Sequence, residues 1–311
     1  MTIETVTVAG PYRRIWAELT NRCQLECVHC YAESEPHVPH GRMQPVDWFR
    51  VIDDMGTRIV QFIGGEPTMY PLFPEVLRHA LNTGMDVEMY SNLVHVTSEV
   101  WDLLAAPNAS LAFSYYAKDP AAHNAVTLRS SHDATRRNAV RAVESGIPIR
   151  AGVINVGYDA HAEAAVADLA SIGVTSVSVD RVRSVGRGGP NSVDELCGKC
   201  GQGIAAVGPD GDVYPCIFSR WLTVGNVRET RLTQIMAGPA MAGRRAPGGP
   251  RPFVRTGLRV VQPGCSALVL LPPGLTPWRR KIPVATSGTW WRRVPVRYTG
   301  SATRRGASPP R

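Results

Sequence analysis

No apolar run in this 311-residue chain approaches the ~20 residues of a membrane-spanning helix. The longest is Ala267–Leu271 with its flanks. The N-terminus lacks a basic stretch followed by an apolar one, so no secretory signal is read and a cytoplasmic protein is expected, with no membrane partner. Acidic residues are missing from one end: none of the 26 Asp and Glu lies beyond residue 242, whereas 14 of the 34 Lys and Arg do. The net charge of +8 therefore belongs to the tail, and the first 242 residues carry −6. A body of that sign argues against a nucleic-acid partner. Apolar residues at 44% and charged ones at 19% exclude collagen, coiled coil and wholesale disorder. Cysteines number only seven, an odd count, and six of them fall in two tight groups. That is the spacing of metal or iron–sulfur ligands, not of a disulfide scaffold.

Short β-type runs alternate with amphipathic stretches up to about residue 185. The strands read are Arg14–Leu19, Val60–Ile63, Asp86–Tyr90, Leu111–Tyr115, Ile147–Val156 and Ser176–Val182, with helices over Pro45–Met55, Leu72–Leu81, Glu99–Leu104, Asp133–Glu144 and Ala160–Ala170. Pro45 suits a first helical position, and Gly146 and Gly173 close two helices. Six strands joined by crossovers predict an α/β fold, a partial (β/α)6 barrel with parallel strands and ligands at their carboxyl ends. The expected organisation is an N-terminal arm over residues 1–11, an α/β core over 12–185, a glycine-rich linker over 184–190, a cysteine-bearing unit over 191–236 and an Arg/Pro-rich tail over 243–311. The tail holds 11 Pro and 13 Arg with no structural period. It reads as a disordered basic arm or as GC-rich DNA translated out of frame.

The first cysteine group, Cys23, Cys27 and Cys30, has the spacing C-x3-C-x2-C directly after the first strand. Three thiolates on one short loop can hold three irons of a 4Fe–4S cluster and leave the fourth open to an exogenous ligand. Zinc is the competing reading, but His29 sits between two cysteines rather than beyond them. An ordinary ferredoxin would place a fourth cysteine nearby, and none occurs before Cys197.

With Tyr31 following, these cysteines resemble the signature of the radical S-adenosylmethionine (SAM) superfamily, over roughly residues 12–185. The resemblance implies that the open iron binds the amino and carboxylate groups of SAM. Gly64-Gly65-Glu66-Pro67, by itself a turn, is similar to the family's glycine-rich motif against the methionine amino group, with Glu66 as an acceptor. Ser91 and Asn92 would contact ribose and carboxylate. His29 and Tyr31 would pack near cluster and adenine, and Ile154 would back the adenine. The implied chemistry is reductive cleavage of SAM to a 5′-deoxyadenosyl radical that abstracts hydrogen from a substrate, with a flavodoxin or ferredoxin as electron donor.

The second group is Cys197-Gly-Lys-Cys200, then Cys216 across an Asp210-Gly211 turn, with Ile204–Val207 and Val213–Tyr214 as hairpin strands. It resembles the opening of a SPASM or twitch domain, which implies an auxiliary iron–sulfur cluster. It departs from a full SPASM domain in lacking the later run of cysteines. Cys265, inside the tail, reads as an incidental thiol. Candidate substrate contacts are Ser114, Tyr115 and Tyr116 at the end of the fourth strand and Asp180, Arg181 and Arg183 at the sixth. Asp180 and Arg181 also read as a simple ion pair, and Tyr115 as core. His123 and His132 read as solvated loop histidines. The function implied is maturation of a peptide or specialised metabolite. The alternatives are a radical decarboxylase or dehydrogenase of a sugar or nucleoside intermediate, a non-catalytic iron–sulfur electron carrier, and a zinc-stabilised RNA-binding protein.

Overall fold

The computed structural model describes residues 14–244. The arm 1–11, Cys265 and all but the first two residues of the 243–311 tail lie outside the described residues. Six strands follow in order: β1 (Arg14–Glu18), β2 (Ile59–Ile63), β3 (Asp86–Ser91), β4 (Ala109–Tyr115), β5 (Ile149–Asn155) and β6 (Ser176–Arg181). The helices between them are α1 (Pro45–Asp53), α2 (Phe73–Asn82), α3 (Ser98–Leu104), α4 (Pro120–Thr127), α5 (His132–Glu144) and α6 (Asp159–Ser171).

Local chemistry explains the helix starts. Pro45 opens α1, where its missing N–H is no loss, and the Asp47 carboxylate accepts a hydrogen bond from the Gln44 amide at 3.0 Å. Thr97 Oγ1 accepts from the Val100 amide to cap α3. Helix α4 was not expected, because its eight residues carry little apolar periodicity. Its start signal is nevertheless present: Asp119 Oδ1 accepts from the Ala122 amide at 2.8 Å, and Pro120 takes the first position.

β1 to β6 pair in sequence and in parallel, as an open α/β sheet rather than a closed barrel. The cysteine hairpin is present as β7 (Ile204–Val207) and β8 (Asp212–Tyr214), turned at Gly211 with φ +91°. It does not stand apart from the sheet. β7 pairs in parallel with β1, placing Ile15 opposite Ala205, and β9 (Gly225–Asn226) follows β8, so one sheet runs β6-β5-β4-β3-β2-β1-β7-β8-β9. Helices α7 (Leu232–Ala237) and α8 (Pro239–Ala242) complete the described chain.

The two-residue period of a strand divides the sheet into two chemistries. Ile15, Phe62, Met89, Phe113 and Val153 face the helices in one continuous core with Trp48, Phe73 and Leu104. Each such buried side chain contributes roughly 1.5–3 kcal/mol. The alternate positions, among them Gln61, Tyr90, Ser114, Gly152 and Ile154, line a cavity on the other face. Beneath it Glu88 accepts from Arg150 at 2.6 and 2.8 Å and from Gln61. Burial works against the Glu88 charge, yet these donors hold its carboxyl below the ordinary carboxylate range.

Candidate active site

The loop after β1 is fastened to its surroundings by backbone hydrogen bonds. The Leu19 amide donates to the Ile63 carbonyl, Cys23 to Glu35, Glu26 to Thr127 and Val28 to Val126. The last two bonds end on α4, so the unexpected helix backs the cysteine loop. Cys23, Cys27 and Cys30 all line a cavity of about 280 Å³, and no other cysteine among the described residues does. The Cys23 sulfur accepts from the Leu25 amide at 3.4 Å and from Asn92 Nδ2 at 3.5 Å. Burial, and then the charge of Glu66, push the Cys23 thiol up; burial and Cys30 push Cys27 up to about 11.

These residues fit an iron–sulfur cluster. Among the described residues no three His, Cys, Asp or Glu side chains converge on a single-ion site. Three thiolates around one cavity, with N–H donors directed at the Cys23 sulfur, suit separate corners of a cubane. The cavity is also lined by Gly64, Gly65, Ser91, Asn92 and Ile154 at the carboxyl ends of β2, β3 and β5, with Asn92 in contact with Cys23. His29 and Tyr31 also line it. Burial, then the Arg187 charge, lower the His29 imidazole to about 4, so it is neutral at pH 7.

Several expected residues stand elsewhere or do other work. Glu66 and Pro67 are buried and do not line the cavity. The Glu66 carboxylate accepts from Ser91 Oγ (2.8 Å), the Asn92 amide (2.7 Å), Thr68 Oγ1 (2.8 Å) and the Thr68 amide (3.2 Å). It is a bracket joining the glycine turn to the end of β3, already saturated by the protein itself. The glycines are required by the protein as well as by any ligand: a Cβ on Gly65 would lie 2.1 Å from the Arg22 carbonyl oxygen. Tyr115 has the wrong strand parity. It is wholly buried on the helix side, donating to Asp168 at 2.9 Å and contacting His132 Nε2 at 2.8 Å. Its neighbours Ser114 and Tyr116 face the cavity, and the Tyr116 hydroxyl lies 4.0 Å from the Cys27 sulfur. His123 and His132 are not solvated: both are buried and edge-on to each other, with His123 edge-on to Tyr115 and His132 tilted against it. Asp180 and Arg183 line the cavity but are engaged with each other at 2.9 Å, while Arg181 pairs with Glu195 rather than Asp180.

Three residues with a bearing on the loop were not legible beforehand. Glu18 is buried beneath it and accepts from the Tyr31 hydroxyl at 3.0 Å. Arg220, from the cysteine-bearing unit, pairs with Glu18 at 3.2 Å. Arg187, from the expected linker, donates to the Cys27 carbonyl at 3.0 Å. Their sequence neighbourhoods hold no signal beyond the nearby Cys216 and a run of glycines.

The second cysteine group is tighter. Cys200 and Cys216 are buried with their sulfurs 3.7 Å apart, and Cys197 is half-buried. Hydrogen bonding between the pair raises Cys200 and lowers Cys216 to about 7.

The radical SAM superfamily model matches residues 17–171, and an iron–sulfur cluster-binding domain model, SPASM, matches residues 197–253. Fe-coproporphyrin III synthase of Methanosarcina barkeri is 35% identical over 81 residues, covering 25% of this chain and 20% of that protein. PqqA peptide cyclase of Streptomyces rochei is 27% identical over 141 residues, covering 44% of this chain and 39% of that protein. The chain thus spans between a fifth and two fifths of these relatives' lengths. Among solved structures, SuiB of Streptococcus suis bound to S-adenosylmethionine superposes with a TM-score of 0.62 at 15% identity, over 75% of this chain and 67% of that one. That likeness concerns the fold.

Proposed function

Since the chain belongs to the radical SAM superfamily and carries a SPASM-type iron–sulfur domain, we propose that it is a radical SAM enzyme that matures a peptide. When bound, a 4Fe–4S cluster and SAM supply reductive cleavage of the sulfonium S–C5′ bond, giving methionine and a 5′-deoxyadenosyl radical that takes hydrogen from a substrate. The observation that carries the reading is the set of three cysteines, and no fourth among the described residues, around a cavity lined as well by Gly64, Gly65, Ser91 and Asn92.

In this reading Cys23, Cys27 and Cys30 hold the cluster. Gly64, Gly65, Ser91 and Asn92 face the polar groups of SAM, and Tyr31, His29 and Ile154 pack beside its adenosine. Glu66 acts at one remove, by fixing the Asn92 backbone. Asn92 is pinned on its other side by Gln24 Nε2, 3.1 Å from its Oδ1, so it is oriented before any ligand arrives. Tyr90 needs the glycine beside it: a Cβ on Gly152 would lie 2.6 Å from its hydroxyl. The substrate enters past β6, the edge strand, whose Ser178 and Asp180 line the cavity. With Arg183 paired to Asp180 and Arg181 paired to Glu195, an incoming substrate meets ion pairs rather than a free anion anchor.

A peptide is favoured because PqqA peptide cyclase is among the relatives that align over both chains most extensively, and because an edge strand admits an extended chain. The second cysteine group is read as the site of an auxiliary cluster. A small flavoprotein or ferredoxin in the cytoplasm is the proposed electron donor. No helix among the described residues is long and apolar enough to cross a membrane.

The test is anaerobic reconstitution with iron and sulfide, followed by dithionite and SAM. Methionine and 5′-deoxyadenosine in equal amounts are the expected products. If neither forms in protein whose first cluster is seen loaded by electron paramagnetic resonance, the enzyme assignment is wrong.

A further inference from the structure

The stretch Ser184–Pro190 looks like a linker by composition, yet it lies against the first cysteine loop. The Arg187 amide donates to the Cys30 carbonyl at 3.0 Å, its Nε to the Cys27 carbonyl at 3.0 Å and its Nη2 to the Ser34 carbonyl at 2.6 Å. Gly186 sits at φ +58°, and a Cβ there would lie 2.5 Å from the Tyr31 carbonyl oxygen and 2.6 Å from that of Cys30. Only glycine permits so close an approach. On the other side of the loop Arg220 reaches in from the turn that follows Cys216. Its Nη1 donates to the Ala32 carbonyl at 2.9 Å, its Nη2 to Asn21 Oδ1 at 3.1 Å, and its Nε pairs with the buried Glu18. Phe218 of the same turn packs edge-on against Tyr31 with ring centres 5.3 Å apart. Two guanidinium forks thus take up backbone carbonyls and an amide oxygen of the loop, adding to the loop's own turns, in which the Cys30 amide donates to Cys27 and the Glu33 amide to Cys30.

We propose that Arg187 of the linker and Arg220 of the cysteine-bearing unit are positioning residues for the first cysteine loop, so that the chain beyond β6 is a working part of the N-terminal site, the cysteine-bearing unit acting there through Arg220. The proposal rests on the reading of Cys23, Cys27 and Cys30 as cluster ligands. Its physical content is that each arginine satisfies several carbonyls with charge-assisted bonds in fixed geometry, which a lysine's single ammonium cannot reproduce. Without them the loop samples conformations in which its three sulfurs do not meet one cluster.

Two measurements on the full chain separate this proposal from the reading beneath it. Amide hydrogen exchange of the metal-free protein needs no cluster at all. In Arg187→Gln and Arg220→Gln, amides of residues 23–35 are expected to exchange roughly ten- to hundredfold faster, the scale of losing a charge-assisted bond, while amides of β3 and β4 keep their rates. Iron extraction by a chelator from the reconstituted protein is the second. Both variants are expected to release iron of the first site about tenfold faster and to lose the SAM-induced change in its paramagnetic resonance spectrum, with Arg220→Lys recovering less than half of the loss. Unchanged exchange in residues 23–35 would overturn the proposal. So would faster exchange with unchanged iron release and an unchanged spectral response to SAM. Should Arg220→Gln fail to fold, Arg220→Lys, read by the same exchange and iron-release measurements, decides for the cysteine-bearing unit, and Arg187→Gln decides for the linker. If wild-type protein takes up no iron at the first site, the cluster reading falls while the exchange experiment still judges the clamp.

Discussion

The two cysteine regions are built on opposite plans. In the first, three cysteines sit on one loop, spread around a cavity, and besides its internal turns the loop is bonded outward to β2, α4, Arg187 and Arg220. In the second, a hairpin brings Cys200 and Cys216 to 3.7 Å, and the Gly201 amide returns to the Pro215 carbonyl at 3.0 Å. The first arrangement leaves a cavity between its cysteines and the sheet, where a ligand beside a bound cluster would sit; in the second, two sulfurs meet directly. A site meant to do chemistry on an exogenous molecule needs the open plan, whereas a site that stores or passes electrons is served by the closed one.

The sharpest way to break that comparison is to delete one sulfur from each region. Cys27→Ala is expected to reduce 5′-deoxyadenosine formation to background, because the cluster loses a corner beside the cavity. Cys216→Ala is expected to slow it several-fold while leaving it measurable, since the second group lines no part of the cavity. Equal and complete loss in both, with both proteins folded by circular dichroism, would mean that the two regions are not functionally distinct.

What the residues disclosed in advance follows the same division. The six core strands and the two hairpin strands were legible to within two residues at each end because apolar runs bounded by turns or crossovers mark them, whereas β9, two residues long, was not read. The cysteine loop was legible because C-x3-C-x2-C concentrates its chemistry in eight residues. Tyr115 was misplaced by a single step of strand parity, and no sequence pattern decides parity where three polar-tipped residues, Ser114, Tyr115 and Tyr116, follow one another. The burial of His123 and His132 was missed for a related reason: α4 was not read, so nothing placed His123 on a buried face. Arg187 and Arg220 were invisible because their partners lie 160 and up to 202 positions away, and long-range pairing leaves no local periodicity. The joining of the hairpin to β1 was hidden likewise, since Asp210-Gly211 announces a turn but not the neighbour against which its strands settle.

The first region also carries an acid-sensitive backing that the second lacks among the described residues. His123 of α4 is buried, and that burial, reinforced by His132, lowers its imidazole from 6.5 to about 4. His132 itself lies 2.8 Å from the exposed Asp133 carboxylate, and Tyr115 and Tyr116 complete the surroundings of His123. A depressed histidine means that the unfolded chain binds more protons between pH 6.5 and 4, so stability falls as pH drops through that window. Urea unfolding of the metal-free chain at pH 7 and pH 5 is expected to show a loss of about 2 kcal/mol attributable to this group. His29 is lowered to about 4 as well and adds its own slope. The difference between wild type and His123→Phe isolates the α4 contribution, and identical pH slopes in the two proteins would remove His123 from the account.

The smallest expected effect addresses whether the second region folds with the first or on its own. Asp54, at the end of α1, is one polar tie between them outside the cysteine loop, beside the bonds of Arg42 and Met43 to Pro209 and Asp210. Its Oδ1 accepts from Arg231 Nη2 at 2.6 Å and Nε at 3.0 Å, and its Oδ2 from the Thr233 amide at 3.1 Å in the first turn of α7. Asp54→Ala removes a helix-start acceptor and a partly exposed ion pair, together about 1 kcal/mol. In a domain of this size that lowers the melting temperature by roughly 2–4 °C. The size of the shift matters less than where it registers. Because β7 is hydrogen-bonded to β1 in register, the hairpin and the core share one sheet and are expected to melt in one transition, which Asp54→Ala moves as a whole. A calorimetric trace in which only an early, minor transition moves would show instead that the cysteine hairpin opens independently. The clamp on the first cysteine loop would then be a contact made and broken while the core stays folded, and Arg220 would switch the loop between two states rather than hold it in one.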